Sequence, residues 1–153
     1  MANADIIVVG PSETPLIADI YNEVFTPRRD VAFFDRRFRS RVNVLNLIAE
    51  VDGRPVGFSS GFELKPSTWY NWLVGVLPSA RRMGIASQLT EAEQSWATEH
   101  GYSLARMECY NRHRPVLHMA IRQGFDIVGV RWDIENQANL VIFEKELPAS
   151  DGQ

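Results

Sequence analysis

VLPSARRMGIAS, residues Val76–Ser87, joins an apolar run that stops at Pro78 to a helical pattern that starts after Gly84. Arg81 and Arg82 stand at the start of that helix. The dipole is positive there, and a cation costs from a few tenths of a kcal/mol to about 1 kcal/mol. An anion seated at the same place reverses the sign. A helix N-terminus offers backbone N–H groups that lack intrahelical acceptors, which suits it to phosphate. The two arginines would add charge-assisted hydrogen bonds. Gly84 lets backbone approach such a ligand, and Ala86 keeps the next turn slim. The stretch has neither the GKS/GKT of a Walker loop nor GxGxxG. On the residues alone two readings stay open, a phosphate cradle and a solvated turn with surface arginines.

Downstream of the stretch, Gly84 to His100 is the clearest helix. Ile85, Leu89, Ala92 and Trp96 recur at three and four residues, and Gly101 is a natural stop. LARMECY (104–110) reads as a strand, PVLHMAIRQ (115–123) as a short helix stopped by Gly124, and FDIVGVRWDI (125–134) and ANLVIFEKEL (138–147) as two strands turning near Glu135-Asn136-Gln137. Upstream, WYNWLVGVLP (69–78) is a strand ended by Pro78, and VNVLNLIAEVDGRPVGFSSGFEL (42–64) is a hairpin turning at Asp52-Gly53. RDVAFFDRRFRSR (29–41) is a helix with Val31, Phe34 and Phe38 on one stripe. PSETPLIADIYNEVF (11–25) is another, with Ser12 or Thr14 as cap and Leu16, Ile20 and Val24 on one face. DIIVVG (5–10) opens the chain as a strand. The order β-α-α-β-β-β-α-β-α-β-β predicts an α+β fold, a mostly antiparallel sheet with helices packed on it. One domain over residues 1–148 is expected, with residues 149–153 as a frayed tail.

Composition narrows the function. The chain has 153 residues, 45% hydrophobic and 23% charged, with a formal net charge of −3. These values fit a globular domain and argue against nucleic acid as a partner. Its single cysteine, Cys109, cannot form an intrachain disulfide, which fits a reducing compartment. His100, His113 and His118 have no metal-ligand spacing, so no metal is expected. The N-terminus is too short and acidic for a signal peptide, and no apolar run approaches the ~20 residues of a membrane span. A cytoplasmic address and no membrane partner follow as expectations.

Arg81-x-x-Gly84-x-Ala86, preceded by Val76 and Pro78, resembles the Q/R-x-x-G-x-G/A signature of the GNAT superfamily of N-acetyltransferases. The segment MECYNRHRPVLHMAIRQGFDIVG (107–129) is similar to the strand-then-helix piece of that family, closing on Gly124-Phe125. The likeness runs over residues 45–145. It implies a mixed, mostly antiparallel seven-stranded sheet with about four helices, whose central fourth and fifth strands splay apart around the pantetheine arm of acetyl-CoA. By this resemblance the backbone of Val74 and Val76 pairs with pantetheine, and the amides of Arg82, Met83, Gly84, Ile85, Ala86 and Ser87 wrap the pyrophosphate next to Arg81. The implied activity is acetyl-CoA-dependent acetylation of a primary amine, on a small molecule or peptide, by direct attack. The rival is a GNAT-like module that binds acyl-CoA for regulation or assembly with little catalysis. A remote third option is an RNA- or protein-binding adaptor acting through the arginine-rich helix. Many relatives dimerise through sheet edges or C-terminal strands, which leaves a homodimer open.

The chain departs from the family at its chemistry. The frequent carboxylate base, six residues before the valine equivalent to Val76, is Tyr70 here, and the frequent acid, a tyrosine four residues before the Gly-Phe pair, is Ala120. The cofactor-contacting asparagine falls at His113 when counted without gaps, with Asn111 as its substitute if the loop is longer. His113 is the candidate base or proton relay, since its ordinary pKa is about 6.5. Its alternative is a loop residue that caps the helix or contacts cofactor. Glu63 and Glu108 are the next candidates; otherwise they are exposed strand carboxylates. Cys109 reads as packing and His118 as a helix-surface or packed residue. Trp69, Tyr70 and Trp72 make an acceptor wall or core, with Tyr70 and Trp72 on one face. The arginines between Arg28 and Arg41 read either as a basic wall for an acidic acceptor or as a solvated face.

Overall fold

The computed structural model describes residues 3–149. Branched residues extend β1 (Asp5–Val9) until Gly10. A 3-10 turn over Pro11–Glu13 then leads into α1 (Thr14–Val24). Neither Ser12 nor Thr14 caps α1, contrary to expectation. Thr14 is its first residue, and its hydroxyl donates to the Pro11 carbonyl at 2.9 Å. The buried face of α1 is Thr14, Ile17, Ala18, Ile20 and Tyr21, while Leu16 and Val24 flank it. Asp30 caps α2 (Val31–Arg39) by accepting from Phe33 N at 3.0 Å.

β2 (Leu45–Val51) and β3 (Arg54–Lys65) form the expected hairpin. Asp52 and Gly53, at φ +52° and +75°, supply the left-handed pair that a two-residue turn needs. The remaining elements are β4 (Thr68–Val76), α3 (Ile85–Glu99), β5 (Leu104–Tyr110), α4 (Arg114–Arg122), β6 (Asp126–Asp133) and β7 (Ala138–Glu146). The predicted order of elements holds throughout. The expected tail, residues 149–153, lies outside the described residues except for Ala149.

The seven strands form one sheet in the order β1-β2-β3-β4-β5-β7-β6. All neighbours are antiparallel except β4 and β5. The sheet separates two cores. On one face α3 and α4 cover Trp69, Ala105, Met107 and Phe143. On the other α1 and α2 cover Ile48 and Phe58 with Ile17, Ile20 and Phe34. Phe34 and Phe58 are fully buried, each contributing about 2–3 kcal/mol of transfer free energy.

The parallel pair sets up the site. β4 and β5 pair only from Thr68↔Leu104 to Asn71↔Met107. Beyond that point β4 stays on β3 as far as Val76↔Gly57, and β5 stays on β7 as far as Tyr110↔Leu140. The two strands thus separate while each keeps its outer neighbour, which is the splay that the resemblance implied.

Candidate functional site

A cavity of about 690 Å³ opens where the β4–β5 pairing ends. It draws its walls from both sides of the sheet: Thr90 and Glu93 from α3, Phe33 and Arg37 from α2, and the two splayed strands between them.

Its floor was not foreseen. Glu93 is 1% exposed and lies beside the last paired rung. Trp69 Nε1 donates to Glu93 Oε1 at 3.3 Å, and Asn71 Nδ2 donates to Oε2. A side chain at Gly61 would collide with Glu93 Oε1, so the glycine on β3 makes room for the carboxyl group. Burial pushes the Glu93 pKa up to about 8 against the opposing pull of the Asn71 and Trp69 hydrogen bonds. Asn71 is itself 6% exposed, and its Oδ1 has no partner among the described residues. The sequence held one sign of this arrangement: Glu93 follows Leu89 by four residues and precedes Ala97 by four, on the buried stripe.

One wall is aromatic. Trp72 packs against Phe33, Phe34, Phe38 and Phe62, and Tyr70 lies edge-on to Phe62, so Tyr70 and Trp72 do share a face. Trp69 points to the opposite core, against Trp96 and Tyr102. Burial raises the Tyr70 pKa to about 12, helped by the nearby Glu108 carboxylate. Tyr70 is therefore a hydroxyl at neutral pH and no base. Two arginines of the 28–41 run join this wall. The Arg29 guanidinium lies 4.6 Å from the Phe33 ring and that of Arg37 4.9 Å from Trp72.

The remaining candidates separate by position. His113 lines the cavity at the N-cap of α4, half-buried and edge-on to Tyr110 at 5.6 Å. Burial, then the Arg112 charge, lowers its pKa below 6.5. Asn111 is exposed and outside the cavity lining, its backbone N–H donating to Asn139 O at 3.0 Å. Glu108 lines the cavity but is held by Arg131 at 3.0 Å and Arg106 at 3.4 Å. Glu63 lies elsewhere and accepts from the Tyr102 hydroxyl at 3.0 Å. Cys109 is buried as expected, which pushes its thiol up to about 11, and His118 is exposed on α4, the first of its two readings. Ala120 is fully buried in the core under α4.

The quoted stretch forms a 3-10 turn over Pro78–Ala80 and then the entry to α3. Arg82 and Gly84 both adopt left-handed backbone, at φ +66° and +77°, so Gly84 answers a conformational need as well as a spatial one. The Gln88 N–H donates to the Gly84 carbonyl at 3.1 Å, and the amides before it belong to the first turn, where a helix supplies no acceptors. Arg81 and Arg82 are exposed, with Arg81 Nε donating to Val76 O at 3.4 Å. Val74 lines the cavity, whereas Val76 and residues 81–87 lie outside its lining. Among the described residues no group of His, Cys, Asp and Glu could hold a metal, and no helix is long and apolar enough to cross a membrane.

A model of the acetyltransferase (GNAT) family matches residues 14–125. No curated protein matches the chain by sequence. Among solved structures, the ribosomal-protein-S18-alanine N-acetyltransferase from Escherichia coli superposes with a TM-score of 0.84 at 14% identity, covering 99% of each chain. The IAA acetyltransferase from Bacillus cereus gives 0.80 at 17% identity, covering 95% of this chain and 100% of its own. A putative acetyltransferase from Salmonella typhimurium, yncA, solved with acetyl-CoA, gives 0.77 at 16% identity, covering 99% of this chain and 98% of its own. At such identities these likenesses concern the fold.

Proposed function

Because the chain belongs to the acetyltransferase (GNAT) family, we propose that it is an acetyl-CoA-dependent N-acetyltransferase acting on a primary amine of a small molecule or peptide by direct attack. The observation that carries this reading is the end of β4–β5 pairing at Asn71 and Met107, with a cavity between strands that otherwise stay in the sheet. The residues present fit the cofactor. Trp72–Val76 have no β5 partner along the gap, so the backbone of Val74 is available to a pantetheine arm, as is that of Val76 apart from the carbonyl that accepts from Arg81 Nε. The left-handed turn at Arg82 and Gly84 and the unpaired first-turn amides suit a pyrophosphate, with Arg81 and Arg82 adding positive charge. Met83, Ile85, Ala86 and Ser87 complete that turn, and Asn111 or His113 would meet the cofactor at the end of β5.

When bound, acetyl-CoA supplies the acetyl group as an activated thioester. The chain's own residues handle protons and position. An alkylammonium has a pKa of ~10 and must lose a proton before it attacks. His113 is neutral at pH 7 and takes that proton at a ring nitrogen. Glu93 lines the gap and holds a proton there at neutral pH, an acid that the bound thioester's sulfur could draw on. Trp72 and Phe33 keep bulk water from one side. Positioning of the amine contributes as much as either proton transfer.

One observation favours the rival reading, a module that binds acyl-CoA with little turnover. Of the cavity's inner carboxyl groups, Glu108 is tied to two guanidiniums and Glu93 is protonated, while Ala120 offers no hydroxyl. Free-thiol release from acetyl-CoA over a broad amine panel, beside calorimetry with acetyl-CoA, decides between them. The transferase reading expects amine-dependent release. Binding without release establishes the module, and neither binding nor release sinks both readings.

A further inference from the structure

The charges lining the cavity come from two groups of elements. The α1–α2 side contributes Arg29 and Arg37, and among the described residues neither has a carboxylate partner. Acids on the same segment, Asp30 and Asp35, are exposed and outside the cavity lining. Arg29 is held in place by its backbone: its N–H donates to Asn22 Oδ1 and its carbonyl accepts from Asn22 Nδ2, both at 2.7 Å. Its Nε is buried and has no hydrogen-bond partner among the described residues. Both guanidiniums rest on ring faces, Arg29 on Phe33 and Arg37 on Trp72, and those rings lie 6.0 Å apart. Stacking occupies the flat face of a guanidinium and leaves its N–H edge for a planar anion.

The β5–β7 side contributes two acids beside Arg112 and Arg131. Asp133 and Glu135 line the cavity from the β6–β7 side, with Arg112 stacked on Tyr110 at 4.7 Å. Asp133 is kept ionised by hydrogen bonds from Asn136 and the Tyr110 hydroxyl. Glu108 and Arg131 pair with each other. A neutral amine would leave the two stacked guanidiniums unmatched, and a simple anion would bring no cation to Asp133 and Glu135.

Resting on the transferase reading above, we propose that the acceptor is a small amine that also bears a carboxylate and an apolar or aromatic body. Arg29 and Arg37 take the carboxylate against the Phe33–Trp72 face, and the ammonium lies toward Asp133 and Glu135. The step balances simply: the amine nitrogen bonds the acetyl carbon, the carbon–sulfur bond breaks, and the proton lost by nitrogen ends on the thiol or in solvent.

Two measurements test this. The first compares acetylation of phenylalanine, phenylalaninamide and phenethylamine by wild type, Arg37→Gln and Arg29→Lys. The second is calorimetric binding of N-acetylphenylalanine and its amide to the protein without cofactor. We expect the carboxylate member to lead by about tenfold or more in each series, the size of a charge-assisted contact. Arg37→Gln should raise KM for phenylalanine by about tenfold more than it raises KM for phenethylamine. Arg37 is exposed, so this variant keeps its fold; Arg29→Lys keeps the charge and loses the fork. Equal treatment of acid and amide, equal effects of the variants on both, or loss of coenzyme A affinity in Arg37→Gln each overturns the proposal. If no amine releases thiol, the transferase reading fails, and the calorimetric arm still decides the anion site.

Discussion

Replacing Glu93 with glutamine should change how stability depends on pH. The carboxyl has an ordinary pKa of 4.5 and a folded value of about 8, raised chiefly by burial. The folded chain therefore holds this proton more tightly than the unfolded chain. Stability from that proton is complete below about pH 4.5, declines as pH rises toward 8, and is gone above it. At 1.36 kcal/mol per unit, the shift from 4.5 to about 8 corresponds to at most about 5 kcal/mol, comparable with the whole stability of a marginal domain. Glutamine has no such proton to lose. It also fits the hydrogen bonds: its oxygen accepts from Trp69 Nε1, and its amide donates to Asn71 Oδ1, now unpartnered, once the Asn71 amide turns over.

Urea unfolding of wild type and Glu93→Gln, run from pH 4.5 to 9, measures the effect. All other groups titrate alike in both proteins, so the difference between the curves isolates position 93. The two should agree within about 1 kcal/mol at pH 4.5, and the variant should gain about 2–5 kcal/mol on wild type by pH 9. Parallel curves would refute the reasoning, because Glu93 would then be ionised or hydrated at neutral pH and could not hold a proton beneath the gap.

Ala86→Glu puts a carboxylate on the first turn of α3, where the dipole favours it by a few tenths of a kcal/mol, so Tm should hold while coenzyme A affinity falls by about tenfold or more in calorimetry. Unchanged affinity would remove the phosphates from that turn; Gly84→Val is a poorer test, because φ of +77° strains a branched residue whatever the ligand. His113→Ala should flatten the acid limb of the rate profile, which lies below pH 6.5 because burial and Arg112 lower that pKa. An unaltered profile together with unaltered cofactor affinity would take His113 out of the site. Ala120→Tyr must fit a ring where a fully buried methyl stands; it should lower stability by about 1–3 kcal/mol and raise turnover no more than a few-fold, and a large rise would show that only a hydroxyl is missing.

What could be read from the sequence was local in origin. The α3 entry is written in consecutive residues, since a helix start, a glycine and two arginines lie within a few positions of each other. The Asp52-Gly53 turn is legible for the same reason. The capping error at α1 shows the limit of local reading: two hydroxyls and a proline competed for one turn, and the chain spent the Thr14 hydroxyl on Pro11 O. The splay came from resemblance alone, because nothing in LARMECY or WYNWLVGVLP says where their pairing stops.

Glu93, marked only by its place on the Leu89–Ala97 stripe, and the arginines were harder to read for a different reason. An acid inside a helix reads as solvent-facing, and Glu93 is buried only because Asn71 and Trp69, 22 and 24 residues away, donate to it and Gly61 leaves it space. The run from Arg28 to Arg41 carries no mark of which members turn inward. Arg36 and Arg39 are exposed and away from the main cavity, while Arg29 is drawn in by the Asn22 clamp and Phe33, and Arg37 by Trp72. In each case a polar residue was sorted by a partner on another element. Trp72 has this role most fully: β4 leaves its pairing with β5 at the residue before it, and its ring gathers Phe33, Phe34, Phe38 and Arg37 into one wall. The backbone break that opens room beside β4, where the proposed cofactor arm would lie, therefore also sets the surface on which the proposed acceptor would rest, and that reading couples the two halves of the site through one strand.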